Sequence, residues 1–159
     1  MGEREMFAFN RNYWIRLGIG SLLAAVSALL LMLSFPPYNL WLLIFVGLAP
    51  MLVAQFRLMP PKISSLAPAL AIGGWLGGYL TPIFAGSGLY MTWLPLLIGG
   101  ITFFTDSGVR AFHERTGYRW FIWYGALNWV GFEMIRGFIP ILGTWGFVAN
   151  TLYRQPWLI

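Results

Sequence analysis

Ile63–Thr105 reads ISSLAPALAIGGWLGGYLTPIFAGSGLYMTWLPLLIGGITFFT, 43 residues without one Asp, Glu, Lys or Arg. As a single helix it would be about 65 Å long, roughly twice the thickness of a bilayer's hydrocarbon core. It must therefore fold back. Pro82, Gly86, Ser87 and Gly88 cluster near its middle, so the break is expected at about Thr81–Gly88. Two membrane spans result, at about 66–80 and 89–105.

The same reading extends outward. Leu17–Phe35 and Leu40–Phe56 are also free of charge and give spans at about 17–34 and 40–56. Pro36-Pro37 ends the first, because neither proline can donate a helical hydrogen bond. Pro50 lies inside the second and is expected to kink it. A fifth span runs at about 120–136, with Glu133 and Arg136 at its far end. The expected fold is all-α: a polytopic transmembrane helical bundle of about five spans over 17–136. A basic leader, 1–16, precedes it. The chargeless stretch Gly137–Tyr153 is rich in Gly, Pro and Asn, whose freed backbone groups need water or protein partners. Residues 137–159 are therefore read as an interfacial or re-entrant extracytoplasmic segment rather than a sixth span.

Composition agrees. The chain is 58% hydrophobic and 9% charged, against about a quarter charged in soluble domains. Runs such as Leu22–Leu33 do not alternate as barrel strands do. The net charge of +5 comes from basic residues flanking apolar runs, which points to topology rather than to nucleic acid. There is no Cys and one His, so disulfides, thiolate chemistry and His-rich metal sites are excluded, and no metal or cofactor is expected. The first span ends in Ser34-Phe35-Pro36-Pro37-Tyr38, not in a small-x-small cleavage site, and is read as uncleaved.

Basic residues alternate between connections. Arg4, Arg11 and Arg16 precede span 1, Arg57 and Lys62 follow span 2, and Arg110, Arg115 and Arg119 follow span 4. The connections after spans 1 and 3 carry no charge. The positive-inside rule then puts the N-terminus in the cytoplasm and the segment after span 5 outside.

Within the spans, Gly73-Gly74-Trp75-Leu76-Gly77-Gly78 holds two overlapping small-xxx-small patterns, Gly73/Gly77 and Gly74/Gly78. Such a face lets another backbone approach closely. It can serve packing within the chain, a dimer interface or an acyl-chain groove, and the oligomeric state stays open. In the charged loop after span 4, Asp106 and His113 read as solvated surface residues, and Arg110 and Glu114 as an exposed i,i+4 pair. Glu133 and Arg136, three apart on one helix, share a face and can pair; they either form a salt bridge that locks the end of span 5 or, as the functional candidates, a polar anchor for a lipid headgroup or the adjacent segment, since ionisable groups at membrane depth are costly. Trp145 stands beyond any obvious span end, in a Gly/Thr-rich segment, and joins them. No nucleophile–base constellation, Walker loop or dinucleotide fingerprint is present.

Several of these motifs together resemble one family. Leu33-Ser34-Phe35-Pro36-Pro37-Tyr38-Asn39-Leu40-Trp41 resembles the short first turn of the bacterial apolipoprotein N-acyltransferases. Ala126-Leu127-Asn128-Trp129 followed by Glu133-Met134-Ile135-Arg136-Gly137 resembles that family's Glu-x-x-Arg-Gly helix end. Gly143-Thr144-Trp145-Gly146 and Gln155-Pro156-Trp157-Leu158 fall at its next two landmarks. The resemblance implies a multi-pass protein of the bacterial cytoplasmic (inner) membrane. It implies transfer of an acyl chain from a phospholipid to the N-terminal diacylglyceryl-cysteine of a lipoprotein, so phospholipid and lipoprotein are the implied partners. That chemistry belongs to a nitrilase-like domain with a Glu-Lys-Cys triad. No Cys occurs here and the only Lys is Lys62, so no catalytic residue carries over. Thr144 also replaces the family's proline before its tryptophan, and Ala149-Asn150-Thr151-Leu152 replaces a more polar run. The chain reads as an N-terminal fragment, a truncated product or a divergent relative, inactive by itself. Glu133, Arg136 and Trp145 would form the platform under the catalytic domain. The competing reading is a non-catalytic membrane scaffold that binds a partner through the glycine face. A small transporter half comes third, supported only by Glu133/Arg136 and Pro50.

Overall fold

A backbone inside hydrocarbon must satisfy its own N–H and C=O groups, so apolar runs of this length become helices. The computed structural model describes residues 3–86, 88, 92–138 and 148–153. Among them there is helix and no strand. Helix α1 is Glu3–Ser34. A second rod, Trp41–Leu58, joins a 3₁₀ turn (Trp41–Phe45), α2 (Ala49–Val53) and a π turn (Ala54–Leu58). A third, Pro61–Gly86, contains α3 (Leu66–Ile72), a π turn (Gly73–Gly77) and α4 (Gly78–Gly86). Then come α5 (Leu94–Thr105), α6 (Val109–Arg115), α7 (Phe121–Gly137) and a 3₁₀ turn at Val148–Leu152.

Among the described residues three helices are long and apolar enough to cross a membrane: Asn12–Ser34, Trp41–Leu58 and Pro61–Gly86. The protein is an all-α membrane helical bundle. Helices α5 and α7 have 12 and 17 residues, below the roughly 20 that a full crossing takes. Residues 89–91, expected to open the fourth span, lie outside the described set.

The basic leader is helical from Glu3 and continues into the first span within α1. Two local expectations are corrected. Pro50 does not kink a continuous helix. It occupies the first turn of α2, where its missing N–H would have no helical partner in any case. The next N–H, that of Met51, donates to the buried Ser27 hydroxyl on α1 at 2.8 Å. The third rod does not stop at Leu80. It passes through Pro82 to Gly86, aided by the wider π turn just before it and by burial of Leu80 and Phe84 against Leu94.

The glycine motif is consumed inside the bundle. A Cβ on Gly73 would lie 2.7 Å from the Pro95 carbonyl oxygen and 2.8 Å from the Gly99 Cα. One on Gly77 would lie 2.6 Å from the Pro95 Cβ. One on Gly74 would meet the Ala28 Cβ at 3.2 Å, and one on Gly78 the Met32 Cε at 2.6 Å. One glycine face therefore seats α5 and the other seats α1. Helix packing within the chain is the reading that holds, and the scaffold hypothesis loses the surface it relied on.

Between the two faces Trp75 points into the main core. It is 1% exposed, lies 5.3 Å from the Phe35 ring and stacks on Trp129 of α7 at 5.9 Å and 16°. Leu31, Ile44, Ile72 and Leu76 complete the cluster.

Candidate functional site

Polar groups gather at both ends of the bundle. At the end carrying the basic residues, the π turn Ala54–Leu58 ends the second rod and leaves carbonyls without helical partners. Two arginines from distant segments take them. Arg16 of α1 donates Nε to the Leu58 oxygen at 2.9 Å and Nη2 to that of Arg57 at 3.4 Å. Arg110 of α6 donates Nη1 to the Met59 oxygen at 2.8 Å and to that of Gln55 at 3.0 Å. A guanidinium at a helix C-terminus also opposes the negative end of its dipole. The expected Arg110–Glu114 pair exists, at 2.7 Å. Its Glu114 side is exposed, as expected, whereas only 11% of the Arg110 side chain is accessible.

Gly108, at φ +87°, turns the chain between α5 and α6 in a conformation that favours glycine. That turn places Asp106 beside the second rod, where the Gln55 side-chain amide donates to its carboxylate. The expectation of a solvated Asp106 is overturned. Burial pushes its carboxyl up to about 7, opposed by the Gln55 hydrogen bond. His113 is corrected more sharply. It is 1% exposed, not a surface residue. Phe56, Phe112, Phe121 and Tyr124 surround its ring with centroids 5.2–5.7 Å away, and Tyr118 stacks on it at 6.0 Å. Burial lowers its basicity, so the ring is neutral near pH 7. Its Nδ1 has no hydrogen-bond partner among the described residues.

At the opposite end lie the residues singled out from sequence. Trp129 and Phe132 of α7 pack on the Trp75–Phe35 cluster. One turn beyond, Arg136 is 5% exposed, and its guanidinium carbon stands 5.6 Å from the Phe132 ring centroid. Glu133, on the same helix, is half-buried. The Val148–Leu152 turn returns to the 3₁₀ turn Trp41–Phe45, with Thr151 buried and Leu152 on the core cluster. Pro36, Pro37 and Tyr38 meet Tyr79 and Pro82 around a cavity of about 420 Å³. Trp145 lies outside the described residues.

The family model for the apolipoprotein N-acyltransferase N-terminal domain matches residues 27–159. The chain belongs to that family. The match covers everything from the last two turns of α1 onward, including the Pro-Pro turn, the glycine faces and the end of α7. No curated protein and no solved structure matches the chain. Within this N-acyltransferase N-terminal domain, Arg136 and the Pro36-Pro37-Tyr38 turn belong to the end of the bundle reached by the C-termini of α1, α4 and α7. No group of three or more His, Asp or Glu that could hold a metal occurs among the described residues. What the sequence missed is the Gln55–Asp106–Arg110–His113 group. The available signal was the aromatic residues on both sides of His113, which are too many for a solvated loop.

Proposed function

We propose that this membrane domain is the platform of an apolipoprotein N-acyltransferase-like protein. In that reading an acyl chain passes from a membrane phospholipid to the α-amino group of a lipoprotein's diacylglyceryl-cysteine. The chain itself supplies no nucleophile, having no Cys. Its part is to seat the lipid-borne substrates at the end where Arg136 and the Pro36-Pro37-Tyr38 turn stand. In this reading that end is extracytoplasmic and the basic end cytoplasmic, in the inner membrane of a bacterium; the support is the positive-inside rule applied to Arg16, Arg57, Lys62, Arg110, Arg115 and Arg119. The observation that carries the proposal is a guanidinium nine-tenths buried at the end of α7, inside the matched family region. A cation at that depth suits a phosphate head or a developing negative charge. Glu133, one turn before it on α7, is the group that would orient it, and Trp145 is the third candidate residue of the platform.

The test joins this domain in frame to a nitrilase-like catalytic domain of the family. Acyl transfer from phospholipid to a diacylated lipopeptide is then measured. Arg136→Ala, Glu133→Ala and Trp145→Ala should each lower the rate tenfold or more, with membrane insertion unchanged. Full activity in all three variants rejects the platform.

A further inference from the structure

A cavity of about 620 Å³ separates α7 from the rest of the bundle. Its volume lies within the range of ligand sites. Met51, Ile72, Ile101, Trp129 and Phe132 give it apolar walls. Ile122, Leu127 and Ile135 also line it, yet are 79%, 72% and 69% exposed. The cavity therefore reaches the outer face of α7, which in a membrane meets lipid. Its occupant comes from the bilayer.

Polar side chains gather toward the basic end, where Gln55, Thr102, Thr105, Asp106, His113 and Tyr124 contribute, with Asn128 one turn further along α7. Most of the donors are already engaged. The Gln55 amide serves Asp106, and the Thr102 and Thr105 hydroxyls donate to the Ile98 and Ile101 carbonyls at 2.8 and 3.0 Å. Arg110 does not line the cavity, and its guanidinium serves Gln55, Met59 and Glu114. The one charged group facing the space is the Asp106 carboxylate; the Thr102 and Thr105 oxygens accept, and the Tyr124 hydroxyl and the Asn128 amide can donate as well as accept. The His113 ring lines the same end, but its Nδ1 is buried away from the space. Among the described residues the lining contains one carboxylate and neither Arg nor Lys. An anionic head would sit uncompensated beside Asp106, whereas an ammonium would satisfy it. A cavity of 150 Å³ takes a six-carbon ring, roughly 25 Å³ per carbon. The volume here thus takes on the order of 20 carbons, one chain rather than two.

We propose that this cavity binds a single-chain membrane amphiphile with a primary ammonium head, its chain between α7 and the second rod and its head on Asp106. The head position is at the opposite end of the bundle from Arg136, and the proposal does not depend on the acyl-transfer reading.

The whole protein in detergent micelles is photolabelled with a long-chain primary amine bearing a mid-chain diazirine. The matching carboxylic acid is the comparison, and adducts are mapped by peptide mass. The amine should label residues 48–56 and 121–135 at least fivefold more than the acid. Asp106→Asn should reduce amine labelling to the level of the acid. Gly125 lines the cavity, and a Cβ there would meet nothing within 4 Å. Gly125→Leu should therefore place about 100 Å³ of side chain in the cavity and cut amine labelling of these segments at least threefold, with helical content retained. Equal labelling by both heads, adducts mainly elsewhere, or undiminished labelling of Gly125→Leu overturns the proposal.

Discussion

Replacing Gly73 with alanine tests how the bundle closes. The added methyl would sit 2.7 Å from the Pro95 oxygen, 2.8 Å from the Gly99 Cα and 2.9 Å from the Gly99 nitrogen. All three are backbone atoms, so no rotamer change relieves the contact. Ordinary van der Waals contact begins near 3.4 Å, so α5 must retreat by 0.5–0.7 Å. A gap of that size forfeits a quarter to a half of each affected dispersion contact. Those contacts include Leu94 and Ile98 against Leu80 and Phe84. Overpacking of this kind costs about 1–3 kcal/mol. Alanine in a helix returns roughly 0.5–1 kcal/mol relative to glycine. The net expectation is a loss of about 1–2 kcal/mol. Gly100→Ala is the control, because a Cβ there would meet nothing within 4 Å and only the helix gain applies. The two variants should thus differ by about 2 kcal/mol. Reversible unfolding in mixed micelles with rising dodecyl sulfate, followed by circular dichroism, measures the difference. If Gly73→Ala unfolds at or beyond the Gly100→Ala midpoint, the close approach of α5 is refuted.

Ser27→Ala removes the acceptor for the Met51 N–H and should cost about 1–2 kcal/mol in the same assay; an unchanged midpoint would show that this bond stabilises nothing. Arg110→Ala frees the Gln55 and Met59 carbonyls together and should cost about 2–3 kcal/mol, with Glu114→Ala costing under about 1 kcal/mol because that partner is 45% exposed. Equal losses would mean that the ion pair, not the cap, is what matters. Asp106 should make stability depend on pH. Its folded value of about 7 exceeds the ordinary 3.8, so between those values the folded protein keeps a proton that the unfolded chain releases. Stability is then greatest below about pH 4 and falls by a few kcal/mol as pH rises to about 7. Asp106→Asn should flatten this trend in midpoints taken across the range.

The long chargeless run was enough to require a helical return, because hydrocarbon thickness fixes how far an apolar helix can extend. It did not fix where the return falls. Pro82 and Gly86 both break helices in isolation, and packing of Leu80 and Phe84 carried the helix past the first of them. The glycine hexad announced a close approach but not its partners. Small-xxx-small spacing says that some backbone can come near, and only the fold shows α5 on one face and α1 on the other. At the basic end, sequence reading failed through a sound rule applied too broadly. Charged loops are usually solvated, so Asp106 and His113 were placed in water. The bond from Gln55 to Asp106 spans 51 positions, which no local pattern records. Arg136 was legible because a guanidinium at the end of an apolar helix is costly wherever the chain folds.

The two arginine caps on the second rod set a schedule for synthesis. Arg16 precedes the carbonyls it serves by 41 and 42 residues, so its help is ready when they emerge from the ribosome. Arg110 follows its carbonyls by 51 and 55 residues. Until those residues have been made and inserted, Gln55 and Met59 must borrow water at the membrane surface. The first two spans can associate early as a provisional hairpin, and the last carbonyls of that hairpin are sealed only by a residue made after α5. The end of the second rod is thus a timing device as well as a joint: its completion reports that the middle of the chain has arrived.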